Sequence, residues 1–190
     1  LNAQHQLLVG LGHSERIADY WERFSTQSET TPSGFLTSPE RTTQLDAGWQ
    51  YRGAAVNTTV SLFASDIRDY ILIDTTLPGM KAGKAVSRNI DARTWGGEAD
   101  MAWAFAGHWT LTGTLAMTKG HNVDDNTDLA QMPPVEARVG LDYRQPTWST
   151  GALLRLVDRQ DDIDTGRGNI VGQDLGETAG FGVFSLNASW

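Results

Sequence analysis

The chain has 190 residues, with 15 Lys and Arg against 23 Asp and Glu, and no cysteine. A net charge of −8 leaves no basic patch for a phosphate backbone, so nucleic acid is not an expected partner. Missing thiols exclude a disulfide scaffold, a thiolate metal site and a cysteine nucleophile, and no run approaches the ~18 apolar residues of a membrane helix. At this length the chain is one domain or a piece of a larger one. Leu1 opens it with neither an initiator Met nor a leader, so a removed leader or a longer parent is expected.

Seven Trp, six Phe and four Tyr, with abundant Thr and 20 Gly, favour strands and turns over helix. The apolar residues recur at every second position. Leu45, Ala47, Trp49 and Tyr51 alternate with Gln44, Asp46, Gly48, Gln50 and Arg52. Ala99, Met101, Trp103 and Phe105 alternate with Glu98, Asp100, Ala102 and Ala104. Trp109, Leu111, Gly113, Leu115 and Met117 alternate with Thr110, Thr112, Thr114, Ala116 and Thr118. The clearest case is Val135, Ala137, Val139, Leu141 and Tyr143 against Glu136, Arg138, Gly140, Asp142 and Arg144. Such alternation marks strands with one apolar and one polar face.

Eight strands are expected near 3–12, 41–52, 57–73, 88–106, 109–119, 133–145, 148–159 and 180–190. Short turns at 53–56, 107–108 and 145–147 alternate with long connections at 13–40, 74–87, 120–132 and 160–179. This is the plan of an antiparallel up-and-down transmembrane β-barrel, whose two ends differ in loop length. Most of the strands reach the ~9–11 residues that a tilted bilayer crossing needs. Trp95, Trp109, Trp148, Phe181 and Trp190 lie near expected strand ends, where an interfacial girdle would place them. The apolar face would then meet lipid. The polar face, with Asp46, Glu98, Asp100, Glu136, Arg138, Asp142, Arg144 and Arg155, would line a wet or plug-filled lumen, since unpartnered charges cannot pack in a dry core. Arginine at Leu141 or Ala137 is expected to destabilise more than arginine at Gly140. The competing soluble reading is a β-sandwich with its apolar face inward.

Chemical motifs are sparse. Gly79–Lys84 is one residue short of a phosphate-binding loop and lacks its strand-to-helix setting. Asp161, Asp162 and Asp164 resemble half of a calcium loop, and Asp124, Asp125, Asn126 and Asp128 form a second oxygen-rich group; a solvated polar loop is the preferred reading of both. Met80, His121 and Met132 fall in or beside loops at one end, and their soft donors would suit copper. No nucleophile elbow accompanies the serines, so the chain is not expected to be an enzyme. No catalytic residue, resident cofactor or metal ligand is assigned.

Several segments together resemble a known family. They are Gly10–Phe24, Ser38–Trp49, Asp69–Ile73, Ser87–Glu98, Gln131–Arg138 and Gly180–Asn187. These are similar to the C-terminal barrel of TonB-dependent outer-membrane receptors. Asp19-Tyr-Trp-Glu22, Asn89-Ile-Asp-Ala-Arg93 and Gln131-Met-Pro-Pro134 bring it nearest to the TonB-dependent copper receptors. The resemblance implies that residues 1–190 are about eight strands of a larger barrel, with the plug domain outside this stretch. It implies a Gram-negative outer-membrane location, lipid and lipopolysaccharide around the barrel, TonB contact through the missing N-terminal part, and active metal uptake with copper as the transported substrate. The alternatives are a siderophore-type receptor of the same kind, and a complete eight-stranded barrel of structural or enzymatic role.

Overall fold

The computed structural model describes residues 3–24, 36–77, 85–169 and 171–190. Eight long strands form one antiparallel sheet: β1 (His5–Arg16), β2 (Glu40–Arg52), β3 (Val56–Asp74), β4 (Val86–Phe105), β5 (Trp109–Asn122), β7 (Glu136–Arg144), β8 (Ser149–Val157) and β11 (Phe181–Ser189). Each pairs with the long strand next in sequence, as an up-and-down plan requires. Three short strands, β6 (Thr127–Asp128), β9 (Arg167–Asn169) and β10 (Gly172–Gln173), and one helical turn, α1 (Tyr20–Phe24), sit inside the long connections. None of these four has a two-residue or helical period long enough to read from sequence. Pro133 and Pro134 donate no ladder hydrogen bond, and β7 starts two residues after them.

Among the described residues no pairing joins β1 to β11, so the sheet is an open arc. A complete eight-stranded barrel would pair its first and last strands, and that alternative is set aside. The sandwich fails as well, because a single sheet leaves its apolar face uncovered. Leu11 is 78% and Leu186 75% exposed there, within a surface far larger than water-soluble proteins present.

The registers keep one parity on each face across the whole arc. Trp95 is flanked by Ala64 and Lys119; four residues on, Ala99 is flanked by Val60 and Leu115, and Leu115 by Ala137. Toward the short turns the same face ends in aromatic rings. Trp103, Phe105, Trp109, Tyr143 and Trp148 form a chain of contacts with centroids 4.8–6.4 Å apart, and Trp49, Tyr51 and His5 form another. Beyond Trp95, in the opposite direction, the next row reads Thr43, Asp66, Arg93 and His121. Ten residues separate Trp95 from Phe105, or about 33 Å of strand at ~3.3 Å each; a tilt of ~40° reduces this to about 25 Å of height. That is the height of a bilayer's apolar band, bounded by rings below and by charge above. Trp95 therefore marks an edge of the band although it stands mid-strand.

β3 and β4 continue well past this band. A β-bulge lets Arg68 and Asp69 oppose the single residue Asp91, with Asp69 at φ 57°. Asn89 donates to the Asp69 carbonyl at 2.6 Å and holds the distortion in place. The extra residue reverses the parity of β3, so Tyr70, Leu72 and Asp74 join the face that carries Ile67. At this height that face is not polar. Ile67, Leu72, Ile90, Ala92 and Leu129 form a buried core, with Tyr70 and Met132 packed on it. The inner face is thus apolar at the loop end, where the long connections fold over and exclude water.

Charged pairs lock those connections together. Asp74 is 0% exposed and accepts from Thr76 N and Oγ1, both at 2.7 Å, from Arg88 Nε at 2.9 Å and from Arg167 Nε at 3.1 Å. Arg167 also contacts Asp125 at 3.3 Å and Asp164 at 2.9 Å, and Arg88 reaches Asp125. Burial alone would raise the Asp74 carboxyl, but the hydrogen bonds from Thr76 and Arg88 and the charge of Arg167 outweigh it and hold it below the usual carboxylate range. For Asp125 burial again acts upward, and Arg88 and Asn122 more than reverse it. The β1–β2 connection is tied separately. Asp19 and Glu22 cap α1 reciprocally at 2.8 Å, and Arg16 bridges Glu22 and Glu40.

Two outcomes follow from this architecture. Val139, between Gly113 and Leu154 near mid-band, should tolerate arginine worst, at about 2–4 kcal/mol of unfolding free energy in bilayers, with Leu141→Arg milder because it lies closer to the ring-bearing edge. Gly140→Arg is not the mild control that alternation suggested, because Gly140 is buried and an added Cβ would overlap Thr112 Oγ1; Asp142→Arg takes its place. The second outcome concerns acid. Depressed carboxyls stabilise the fold above their unfolded value of about 4 and lose that contribution as pH falls through the lower folded value. A spin label at the partly buried Gln173→Cys on β10 should stay immobile from pH 8 to pH 5 and gain mobility only below about pH 4, whereas Asp74→Asn should free it at neutral pH.

Candidate functional site

The polar face of the arc is the candidate site. Asp46, Glu98, Asp100, Glu136, Arg138, Asp142, Arg144 and Arg155 all stand on it, as the registers require. The parity of β2, β4, β7 and β8 places them there, and each except Arg144 is followed by an apolar neighbour that faces the other way. Glu98, Asp100, Glu136 and Arg138 line one open depression of about 250 Å³ with Thr114 and Ala116. Asp46 and Glu98 border the next, with Ser61 and Phe63. Asp142 and Arg144 lie farther toward the short turns and join neither depression among those described.

These charges divide into two kinds. Glu136 is committed: it accepts from Arg138 Nε and from Arg155 Nη2, each at 2.6 Å. Arg155 in turn lies over the Phe181 ring, 5.5 Å from its centroid. Asp46 accepts from Gln44 Nε2 at 2.8 Å, and Ser65 donates to the other end of Gln44 at 2.9 Å. Glu98 and Asp100 are different. Both are exposed and, among the described residues, neither side chain has a hydrogen bond or ion pair. The wall therefore presents two adjacent uncommitted carboxylates beside an ion-paired cluster of one carboxylate and two arginines.

Gly96 and Gly97 shape the wall above them. A Cβ on Gly96 would lie 2.8 Å from Phe63 Cε1 and inside contact with the Met117 carbonyl; one on Gly97 would lie 2.7 Å from the Ser61 carbonyl. The ring of Phe63 thus lies across Gly96. A bare alternation count cannot reveal that packing, although the Gly-Gly pair within a strand hints at it.

The acidic loop groups are largely exposed, as the preferred sequence reading has it, with Asp124, Asp125, Asn126, Asp128 and Asp161 at the surface, but several are also tied to protein partners. Asp164 accepts from Thr127 Oγ1 and Arg167, Asp162 faces Lys119, and Asp161 faces Arg159. Asp125 faces Arg88 and Arg167, and Asp124 accepts from the Asp91 amide at 3.1 Å. Their lone pairs go to cations and amides of the protein, which is a poor calcium cage. Sequence spacing missed this because each partner arrives from a different connection. Among the described residues no group of three or more His, Asp or Glu side chains is disposed to hold a metal ion. His121 is exposed on the outer parity beside Arg93, whereas Met132 packs on the inner core, so these two do not converge. Met80 lies outside the described residues.

Comparison with known proteins identifies this kind of wall. The family described as TonB dependent receptor-like, beta-barrel matches residues 1–190. No curated protein sequence matches. Among solved structures, the chain is similar to "Copper transporter OprC" at 41% identity and a TM-score of 0.92, over 99% of this chain and 29% of that one. It shares its fold with the ferripyoverdine receptor of the outer membrane of Pseudomonas aeruginosa, at 16% identity and a TM-score of 0.70, over 99% of this chain and 25% of that one. The siderophore receptor PirA from Acinetobacter baumannii gives 14% identity and a TM-score of 0.70, over 99% and 33%. The chain thus spans less than a third of that copper transporter, and about a third or less of the two siderophore receptors. It belongs to the TonB-dependent receptor family, as part of the β-barrel.

Proposed function

We propose that these residues form part of the wall of an outer-membrane receptor that imports copper, driven by TonB acting on a plug outside this stretch. The observation that carries the metal is the 41% identity to a copper transporter along nearly the whole chain, against 14–16% to siderophore receptors. Siderophore uptake is the second reading, supported by the shared fold. On this reading Asp46, Glu98, Asp100, Glu136, Arg138, Asp142, Arg144 and Arg155 line the lumen, and the opposite face meets lipid in a Gram-negative outer membrane, with lipopolysaccharide around the charged row at Asp66 and Arg93. Copper is cargo and not a resident cofactor. The wall needs no catalytic group for this work. The uncommitted Glu98 and Asp100 raise the local concentration of cations, while Glu136 holds Arg138 and Arg155 and offsets one of their two charges.

The direct test is metal accumulation by cells that carry or lack the full-length receptor. Copper should rise in its presence while ferric chelates stay level; the opposite pattern would transfer the protein to the siderophore receptors. Within the copper reading, the double variant Glu98→Gln, Asp100→Asn should lower uptake at limiting copper roughly tenfold and leave receptor abundance unchanged. Asp142→Asn, outside both depressions, should have little effect.

A further inference from the structure

The connection between β8 and β11 does not hang from the end of the sheet. Its short strand β9 pairs with β3, Ile73 opposite Gly168 and Asp74 opposite Arg167. At those two residues β3 already pairs with β4 through Ser87 and Val86. β9 therefore occupies the other edge of β3. To reach it from β8 the chain passes β7, β5, β4 and β3, five strand spacings or about 24 Å. It passes on the inner side: Arg167 meets Asp74 and shares it with Arg88, on the face that carries the charged wall. The connection is thus a strap across the mouth of the arc.

The strap is anchored at every station along its path. Gln160 donates to the Met132 carbonyl at 2.6 Å, and Thr127 donates to Asp164 at 2.9 Å. The Asp174 carboxylate accepts from the Gln131 amide at 3.1 Å and the Asp164 amide at 2.9 Å, and the Asn169 amide donates to Gln131 Oε1 at 3.2 Å. Thr75 donates to the Gly166 carbonyl through both its amide and its hydroxyl. Opening the strap would expose Asp74 and strip Arg167 of two carboxylates, Asp74 and Asp125, at once. A moving lid is drawn instead from segments with few buried contacts.

We propose that this strap is a fixed rim of the receptor's mouth, which stays shut through the import cycle and narrows the opening that cargo must pass. The proposal rests on the import reading above and adds which segment does not gate. It excludes the strap as the part that closes over cargo.

A covalent lock tests it. A Cβ built on Gly166 stands 2.9 Å from Thr75 Oγ1, close to the roughly 3 Å between a Cβ and the far sulfur of a disulfide. The full-length receptor with Thr75→Cys and Gly166→Cys, its bond verified by mass spectrometry, is compared with each single variant and with wild type for copper uptake. Uptake by the locked receptor within about twofold of the single variants is expected. A fall of tenfold or more in the locked receptor alone would overturn the proposal. No copper uptake by wild type would overturn the import reading instead, and amide hydrogen exchange in the purified receptor then decides the strap by itself. Slow exchange at Gln131, Asp164 and Asn169 is expected, and exchange at the rate of an open loop would overturn it. Because Gly166 has φ +80°, its cysteine variant can fold poorly; Arg167→Gln then serves. Copper uptake should stay within about twofold when this anchor is removed, and a severalfold acceleration would mean that the strap had to open.

Discussion

Everything in this structure depends on one constraint: a strand in a bilayer must pair its backbone on both edges while its side chains serve two solvents. Unpaired amides and carbonyls cannot stand in hydrocarbon, so each long strand runs antiparallel to the next without interruption through the band. The two-residue repeat then sorts side chains without further instruction. A single register slip would put Glu98 and Asp100 into lipid and Ala99 and Met101 into the lumen. That penalty fixes the register more firmly than any individual contact does. The glycine pair at Gly96 and Gly97 refines the wall locally, where Phe63 lies across it.

Above the band the constraint relaxes and a different one takes over. Water is available again, yet the long connections still have polar backbone to satisfy. They meet this need by folding on one another around Asp74. A carboxylate with no exposure needs its charge answered from several sides, and two arginines and a threonine supply that. The partners come from β4 and from the β8–β11 connection, so the site cannot form until distant parts of the chain have met. The bulge at Arg68 and Asp69 makes this possible by reversing the parity of β3, which turns Leu72 and Asp74 inward. Below the bulge alternation governs; above it, pairing of buried charge does.

This division explains what was legible in the sequence. All eight long strands, their order and the shared face of the eight charged residues follow from the period-two pattern and the uneven connections, because these are local or nearest-neighbour properties. The short strands β6, β9 and β10 were not legible, being two or three residues long and stabilised by partners far away in sequence. The acidic loop residues stay largely exposed, as their spacing suggested, but spacing along the chain carries no record of Arg88, Lys119 or Arg167 arriving from elsewhere to pair with some of them. Gly140 showed the same limit on a smaller scale. Its position in the alternation marked it as tolerant, but Thr112 on the neighbouring strand already occupies the space beside it.

The wall and the loop end use the same residue types to opposite effect. At the loop end, Asp74, Asp125 and Asp164 converge on Arg88 and Arg167, and the result is rigidity. On the wall, Glu136 is similarly spent on Arg138 and Arg155, but Glu98 and Asp100 are left without partners. An exposed carboxylate in water loses little by remaining unpaired, and an exposed ion pair gains little by forming. Stability therefore gives no reason for carboxylates to cluster at Glu98 and Asp100, two residues apart on one strand and pointing the same way. Like charges so placed repel each other at rest. The repulsion is relieved when a cation or a cationic surface comes between them, so the arrangement favours the occupied wall over the empty one. On the import reading, placing the rigid pairs at the mouth and the uncommitted charges below it separates the part that holds shape from the part that would attract cargo.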